Sequence, residues 1–169
     1  MPSKEEINDA LEVGVIYNPG SSQQLTDSVK FKVTDGLGHS DTVNFIFKVA
    51  GSGGLDTTTL ATSGKDIIFA TGDTDTLAGG GGADQFVFSM GTGDDTITDF
   101  AIGQDHIDLR AFFQTVDAGT EWFTSTNVKE SPINTADTLL MLGNDSITLK
   151  NVAFTSLTAN DFILHPGNN

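Results

Sequence analysis

Several classes of protein are excluded by what this sequence lacks. None of its 169 residues is cysteine, so disulfide bonds and thiolate metal sites are ruled out. No run of 18 apolar residues occurs, and no segment is expected to span a membrane. Residues 1–14 lack the basic region and apolar run of a secretory signal peptide. Only eight Lys and Arg accompany 23 acidic residues, and the resulting net charge of −15 makes nucleic acid a poor partner.

Catalytic motifs are also missing. The sequence contains no H-E-x-x-H, no G-x-S-x-G and no P-loop. Its three histidines, His39, His106 and His165, are scattered, and the five Glu form no obvious acid–base pair, although pairs of Asp remain open. His106 lies in a predicted strand, so we interpret it as structural. We therefore predict that this chain is not itself an enzyme.

The acidic residues that are present are mostly aspartate. Asp accounts for 18 of the 23 acids, and the chain holds 19 Gly. A merely solubilising surface would use Glu at least as freely. Asp with Gly is typical instead of turns and of sites that bind a cation through oxygen.

A period of nine residues runs through residues 62–87. Asp66, Asp75 and Asp84 are spaced by nine, and an apolar residue follows two positions after each of them. These apolar residues are Ile68, Leu77 and Phe86. Residues 79–87 read GGGGADQFV and match the nonapeptide G-G-x-G-x-D-x-U-x, a calcium-binding parallel β-helix repeat. Residues 61–69 and 70–78 are degenerate copies, and residues 93–97 restore the pattern after a two-residue insertion.

Calcium prefers six to eight oxygens, which the aspartates and the carbonyls of glycine-rich turns supply. If each nonapeptide is half a turn of a roll, loops n and n+2 stack, so Asp66 meets Asp84 and Asp75 meets Asp95. Thr62 in the first site and Thr71 in the second replace glycine, and Asp73 replaces a further glycine in the second, so we expect the first of these sites to be the better one. The predicted ligands are Thr62, Gly64, Asp66, Thr71, Asp73, Asp75, Gly80, Gly82, Asp84, Gly91, Gly93 and Asp95, holding two to four Ca²⁺ ions.

The same residues predict that folding depends on calcium. Residues 66–108 hold nine Asp and no Lys or Arg. Each carboxylate pair at about 4 Å costs on the order of 1–4 kcal/mol, which a thin apolar core does not offset. We expect this segment to be disordered without calcium and to bind it with a dissociation constant of roughly 10⁻⁴–10⁻³ M.

The predicted fold is all-β: a short parallel β-roll continued into a β-sandwich-like cap, preceded by a partial Ig-like or cadherin-like segment. Its predicted divisions are residues 1–50 (partial repeat), 51–57 (linker), 58–100 (roll) and 101–169 (cap and secretion region). Strands are expected at 13–17, 28–33 and 42–49. A hairpin is expected from 137–142 and 146–149, and a last strand or turn at 157–164.

Residues 82–88, 95–100, 103–109, 137–149 and 157–162 together resemble the RTX, or hemolysin-type, C-terminal domain with its serralysin-like cap. The resemblance implies that Asp99 and Asp105 also reach calcium. It further implies an uncleaved C-terminal signal read by a type I (ABC transporter) secretion machinery, and a secreted, extracellular or bacterial cell-surface location. Residues 26–43 are similar to the end of bacterial cadherin-like adhesin repeats, whose Asp27, Asp35 and Asp41 either bind calcium or serve as turn residues.

Three functions fit these features. The first is a calcium-dependent folding and secretion module at the C-terminus of a large secreted adhesin, monomeric, whose parent binds a cell-surface or polysaccharide ligand. The second is the C-terminal module of a secreted enzyme (protease, lipase or polysaccharide-modifying) with its catalytic domain upstream. The third is a carbohydrate-binding module using Trp122, Tyr17 or an exposed Phe, which a single Trp supports weakly.

Overall fold

The computed structural model describes residues 26–34, 37, 39–48, 58–113, 122 and 127–164. These residues form twelve strands and two 3-10 turns. The strands are β1 (Thr26–Thr34), β2 (Ser40–Lys48), β3 (Thr58–Leu60), β4 (Asp66–Phe69), β5 (Thr76–Ala78), β6 (Gln85–Val87), β7 (Asp94–Ile97), β8 (His106–Asp108), β9 (Val128–Glu130), β10 (Thr138–Leu142), β11 (Asp145–Leu149) and β12 (Phe162–Ile163). The 3-10 turns are Phe154–Ser156 and Ala159–Asp161. Over the described ranges, no helix has the length and apolarity needed to cross a membrane.

The strands form two six-stranded sheets. The first sheet has the order β1-β2-β4-β6-β8-β12, and the second has the order β3-β5-β7-β11-β10-β9. Between β3 and β8 successive strands alternate between the sheets, and each pairs in parallel with the strand two places on. This is the arrangement expected when each nonapeptide contributes half a turn, so the predicted all-β roll is confirmed.

The apolar residue of each repeat builds the core. In the first sheet the register aligns Ile68, Phe86 and Ile107, and in the second it aligns Leu77 with Ile97. All five side chains are fully buried and belong to one hydrophobic cluster. Alternating burial along each strand places these side chains inward, which fixes the register because a slip of one residue would turn them outward.

The N-terminal segment contains the expected hairpin. Strands β1 and β2 pair antiparallel over nine residues each, close to the predicted 28–33 and 42–49. The structure adds that β2 pairs in parallel with β4, so the hairpin extends the first sheet of the roll. The predicted strand at 13–17 lies outside the described residues, and the division of the chain into four segments stays a prediction.

The C-terminal cap continues both sheets. Strands β10 and β11 form the predicted hairpin across Gly143, which has a φ of +76°, and β11 pairs in parallel with β7. The predicted strand or turn at 157–164 is a 3-10 turn followed by the two-residue β12. Thr158 and Asp161 form a capping box that closes this turn, so β12 begins only at Phe162.

Candidate metal centre

The predicted ligands lie in loops that precede the strands of the roll. Loops 1 (residues 62–66), 3 (80–84) and 5 (101–105) lead into β4, β6 and β8 of the first sheet. Loops 2 (71–75) and 4 (91–95) lead into β5 and β7 of the second. The two sets of loops therefore stack separately, as the half-turn repeat predicts.

Within each stack the aspartates form a ladder. The main-chain N–H of Asp66 donates to Oδ1 of Asp84 at 2.9 Å, and the N–H of Asp84 donates to Oδ1 of Asp105 at 3.0 Å. In the second stack the N–H of Asp75 donates to Oδ1 of Asp95 at 2.8 Å. All five carboxylates are buried. Asp84, Asp95 and Asp105 thus each use Oδ1 to tie their loop to the preceding loop of the same stack.

Loops 1 and 2 close on their own threonines. Oδ2 of Asp66 accepts from the N–H of Thr62 at 2.7 Å and from its hydroxyl at 2.9 Å. Oδ2 of Asp75 accepts from the N–H of Thr71 at 2.8 Å and from its hydroxyl at 3.1 Å. Protein donors therefore satisfy this oxygen in both threonine loops, which weakens any cation demand there. Asp73 does not take a positive φ, in keeping with its Cβ.

Loop 3 is built differently because it is all glycine before Ala83. Gly80 has a φ of +79° and Gly82 a φ of +122°. A Cβ on Gly80 would lie 2.3 Å from the carbonyl oxygen of Thr62, and one on Gly82 would lie 2.5 Å from that of Gly64. The main chains of loops 1 and 3 approach so closely that only glycine fits, and the approach brings these carbonyl oxygens against loop 3.

The carboxylate of Asp84 is left incomplete by this arrangement. Among the described residues, its Oδ2 is a buried side-chain oxygen with no hydrogen-bond partner, and the residue is 1% exposed. Burial, opposed by the hydrogen bond from the Asp66 N–H and reinforced by the charges of Asp105, Asp66 and Asp99, raises the pKa of Asp84 to about 7. Burial likewise raises the pKa of Asp105. A charged, desolvated oxygen without a donor is a site that a cation would complete.

Asp99 faces the other side of loop 3. Its two carboxylate oxygens accept from the N–H groups of Gly79 and Gly80, each at 2.9 Å. The N–H of Gly80 corresponds to the donor that closes the threonine loops, where the N–H of residue i donates to the Asp at i+4. Because Asp99 takes the N–H of Gly80, Oδ2 of Asp84 keeps no internal donor.

In the second stack, fewer carboxylate oxygens of the ladder aspartates lack a hydrogen-bond donor. Oδ2 of Asp95 accepts from the Thr92 hydroxyl at 2.7 Å, so both of its oxygens are engaged. The glycines of loop 4, Gly91 and Gly93, have φ values of +80° and +89° and donate to the carboxylate of Asp145 at 2.8 and 3.2 Å. The unpartnered oxygen therefore lies in the first stack, which sequence analysis ranks as the better site.

Two carboxylates in the cap perform a task that sequence reasoning did not assign. Asp145, in the β10–β11 hairpin, holds loop 4, and Asp161 accepts from the N–H of Gly103 in loop 5 at 3.0 Å. Each accepts main-chain N–H groups of glycines in the loop that it contacts, rather than the N–H of that loop's Asp. The signal was limited to an Asp beginning a strand after a turn, which is too common to assign a role.

The donor set fits a hard cation. Within the described ranges, no three His, Cys, Asp or Glu side chains converge as a metal-binding group. A cation at Asp84 must therefore be completed by main-chain carbonyls, as expected for calcium in a glycine-rich turn. Carboxylate and carbonyl oxygens, without nitrogen or sulfur, are the ligands that Ca²⁺ prefers.

The structure also locates some of the residues that the sequence suggested for sugar binding or for a calcium site in the hairpin. Trp122 is buried, and its Nε1 donates to the carbonyl of Met141 at 2.7 Å, so it cannot serve as an exposed sugar platform. Tyr17 and Asp35 lie outside the described residues, whereas Asp27 and Asp41 fall in β1 and β2.

His106 lies in β8 as expected, half-buried in the first sheet. Arg110, at the end of the acidic run, forms a salt bridge with the buried Asp108 at 2.6 Å. The amide of Gln85 donates to the same carboxylate at 2.7 Å. The Asp108 charge is therefore balanced within the protein, unlike that of Asp84.

Comparison with known proteins finds similarity over part of the chain. Residues 50–119 match the family model described as Peptidase M10 serralysin C terminal. Among solved structures, the extracellular lipase LipA from Serratia marcescens is similar to 81% of this chain, with 18% identity and a TM-score of 0.43. The chain spans about a quarter (26%) of the length of that lipase. No curated protein sequence matched. The matched residues, about two fifths of the chain, are therefore similar to a serralysin-type C-terminal domain, an RTX domain of the kind that is known to bind calcium and occurs in secreted proteins.

Proposed function

We propose that this chain is the calcium-triggered folding and secretion module at the C-terminus of a large secreted bacterial adhesin. The observation that carries the calcium assignment is Oδ2 of Asp84, which is buried, lacks a donor and lies near three other carboxylates. Bound calcium would neutralise these charges. Asp84 and main-chain carbonyls of loops 1 and 3 are the groups that would hold it.

The cap depends on the same loops for its place. Asp145 and Asp161 attach the cap to loops 4 and 5 by accepting main-chain N–H groups. A roll that loses its loop geometry no longer presents these donors. Calcium binding in the roll therefore supports the folding of the β-sheet cap behind it, and low calcium leaves an acidic chain that can be threaded through a channel.

Export fits this arrangement. Domains of the serralysin type accompany type I secretion. The low calcium of a bacterial cytosol would leave the roll unfolded during transport, and millimolar calcium outside would fold it. The number of ions consistent with the two loop stacks is two to four.

The adhesin parent rests on the β1–β2 hairpin. Two nine-residue antiparallel strands precede the roll, and the sequence of residues 26–43 within them is similar to the end of a cadherin-like repeat. In this proposal the parent attaches to a cell surface or polysaccharide, and the chain itself carries no catalysis.

A secreted enzyme is the second candidate. The description of the matching family, the C-terminal part of a peptidase, favours it. In that case a catalytic domain for proteolysis, lipolysis or polysaccharide modification precedes the chain. The sequence encoded upstream separates the two: further repeats like residues 26–48 support the adhesin, and a catalytic motif supports the enzyme.

Fluorescence of Trp122, the single tryptophan, tests the folding role. It lies in the buried core of the cap and contacts Phe113 and Phe162, so its emission reports whether the cap has folded. We expect a blue shift between chelator and millimolar calcium, with a midpoint of roughly 10⁻⁴–10⁻³ M. An emission spectrum that calcium leaves unchanged would contradict the proposal.

Secretion is tested separately with a carrier protein that has no signal of its own. Fused in front of residues 1–169 and expressed with a type I transporter, the carrier should appear in the medium. A matched fusion ending at residue 100 should stay inside the cell. Retention of both fusions would contradict the secretion role while leaving the calcium result standing.

A further inference from the structure

The aspartate ladder of the first sheet ends at an asparagine. Strand β2 pairs with β4 so that Asn44 lies opposite Asp66, and the same register continues through Asp84 to Asp105. Asn44 therefore occupies, next to β4, the position that an aspartate holds in each following repeat of the first sheet. It belongs to the hairpin, outside the nonapeptide repeats.

The Asn44 side chain is buried, and its amide nitrogen donates two hydrogen bonds to loop 1. It is 7% exposed, and its Nδ2 donates to Oδ1 of Asp66 at 2.7 Å and to the hydroxyl oxygen of Thr62 at 3.1 Å. Its main-chain N–H donates to the carbonyl of Lys65 at 3.2 Å. One residue of the hairpin thus binds loop 1 through three hydrogen bonds.

The chemistry of this position requires an amide. In the later rungs, the oxygen that Asn44 reaches on Asp66 accepts a main-chain N–H of the preceding loop. No nonapeptide loop precedes loop 1, and the Asn44 amide donates in place of that N–H, beside the Thr62 hydroxyl at 3.0 Å from the same oxygen. An aspartate at 44 would place a second carboxylate about 2.7 Å from that of Asp66, where two charges repel strongly in a buried setting.

The row of aligned apolar side chains in the first sheet, Ile68, Phe86 and Ile107, also ends at this hairpin. Ile46 lies opposite Ile68 and is 3% exposed, so it covers the end of the roll core beside Asn44. We propose that the β1–β2 hairpin is the N-terminal cap of the roll, and that Asn44 is its key residue. The upstream sequence is thereby coupled to the roll: the hairpin docks where loop 1 is formed. These hydrogen bonds need no cation, so the cap stands apart from the calcium assignment.

Hydrogen exchange of the whole 169-residue chain in saturating calcium tests the cap. The variants are Asn44→Ala, which removes the donor, and Asn44→Asp, which replaces it with a charge. The control is Asn160→Asp, which adds the same charge at an exposed residue of a 3-10 turn. Protection is read in β2 and β4 and compared with that in β10 and β11.

We expect Asn44→Ala to lower protection in β2 and β4 about ten- to a hundredfold, the range for losing a hydrogen bond to a charged group. Asn44→Asp should lower it further, while β10 and β11 and the control keep their protection. Protection in Asn44→Asp equal to that of the unmodified chain would overturn the proposal. So would a uniform loss over all four strands in both variants, since a local cap cannot produce it.

Discussion

Replacing Gly82 with alanine should force loops 1 and 3 apart. Gly82 has a φ of +122°, and a Cβ there would lie 2.5 Å from the carbonyl oxygen of Gly64 and 2.7 Å from its carbon. Because these are main-chain atoms, a side-chain rotation cannot relieve the contact. Positive φ costs a residue with a Cβ about 1–2 kcal/mol, and overpacking adds about 1–3 kcal/mol. We therefore expect a loss of about 3 kcal/mol.

Alanine substitutions at two other glycines separate the cost of the positive φ from the cost of the close main-chain contact. At Gly81 the nearest atom to a Cβ is 3.7 Å away and φ is not positive, so Gly81→Ala should leave stability within about 0.5 kcal/mol. At Gly91 φ is +80° but nothing lies within 4 Å of a Cβ, so Gly91→Ala should cost only the backbone term, about 1–2 kcal/mol.

Thermal unfolding in saturating calcium, followed by circular dichroism, measures all three variants. A loss of about 3 kcal/mol corresponds to a fall of roughly 6–12 °C in melting temperature for a domain of this size. The order Gly82→Ala, Gly91→Ala, Gly81→Ala, from least to most stable, is the expected result. If Gly82→Ala has the same melting temperature as Gly81→Ala, loops 1 and 3 do not approach closely in solution.

Three further changes test the site and the cap. Asp84→Asn should raise stability in chelator, because it removes a buried charge without a donor, yet shift the calcium midpoint about tenfold or more upward, measured by titration of each variant. Asp145→Ala should cost about 2 kcal/mol in chemical denaturation, since its carboxylate accepts two main-chain N–H groups of loop 4. Lys150→Met should lower the melting temperature by a few degrees at neutral pH, because the hydrogen bond from Lys150 and then that from the Asn151 N–H hold the pKa of Asp137 below its usual value.

Each of these has a control and a contrary result. A calcium response of Asp84→Asn equal to that of the unmodified chain would rule out Asp84 as a ligand. Asn144→Ala changes the exposed neighbour of Asp145 and should leave stability unchanged. An equal loss of stability in Asp145→Ala and Asn144→Ala would contradict the role of Asp145 in holding loop 4. The loss of melting temperature in Lys150→Met should be present above the usual carboxyl pKa and should disappear as pH falls through the lowered pKa of Asp137. A loss that grows as the pH falls would contradict this prediction.

Much of the roll could be read from its nine-residue period. The spacing of Asp66, Asp75 and Asp84 and the apolar residues after them fix which strands share a sheet, because side chains alternate along a strand and loops n and n+2 stack. The two-residue insertion before Asp95 does not disturb this, and the predicted pairs Asp66 with Asp84 and Asp75 with Asp95 are adjacent in the ladders.

The parts that the sequence left open are long-range. Pairing of β2 with β4 spans an intervening segment with no periodic signal, so neither the extension of the sheet nor the role of Asn44 could be predicted. Asp145 reaches loop 4 from 52 and 54 residues away. Thr62 and Thr71 were predicted as ligands in place of glycine, but their hydroxyls and N–H groups close the loops on Asp66 and Asp75.

Far-UV circular dichroism of the whole chain, in excess chelator and in millimolar calcium, tests the dependence of folding on the cation most directly. Nine aspartates without a Lys or Arg between residues 66 and 108, and a buried Asp84 oxygen without a donor, predict a largely unfolded spectrum in chelator. Added calcium should restore the β spectrum, and magnesium at the same concentration should not, because it is smaller and sheds its water reluctantly. A full β spectrum in chelator would contradict the account.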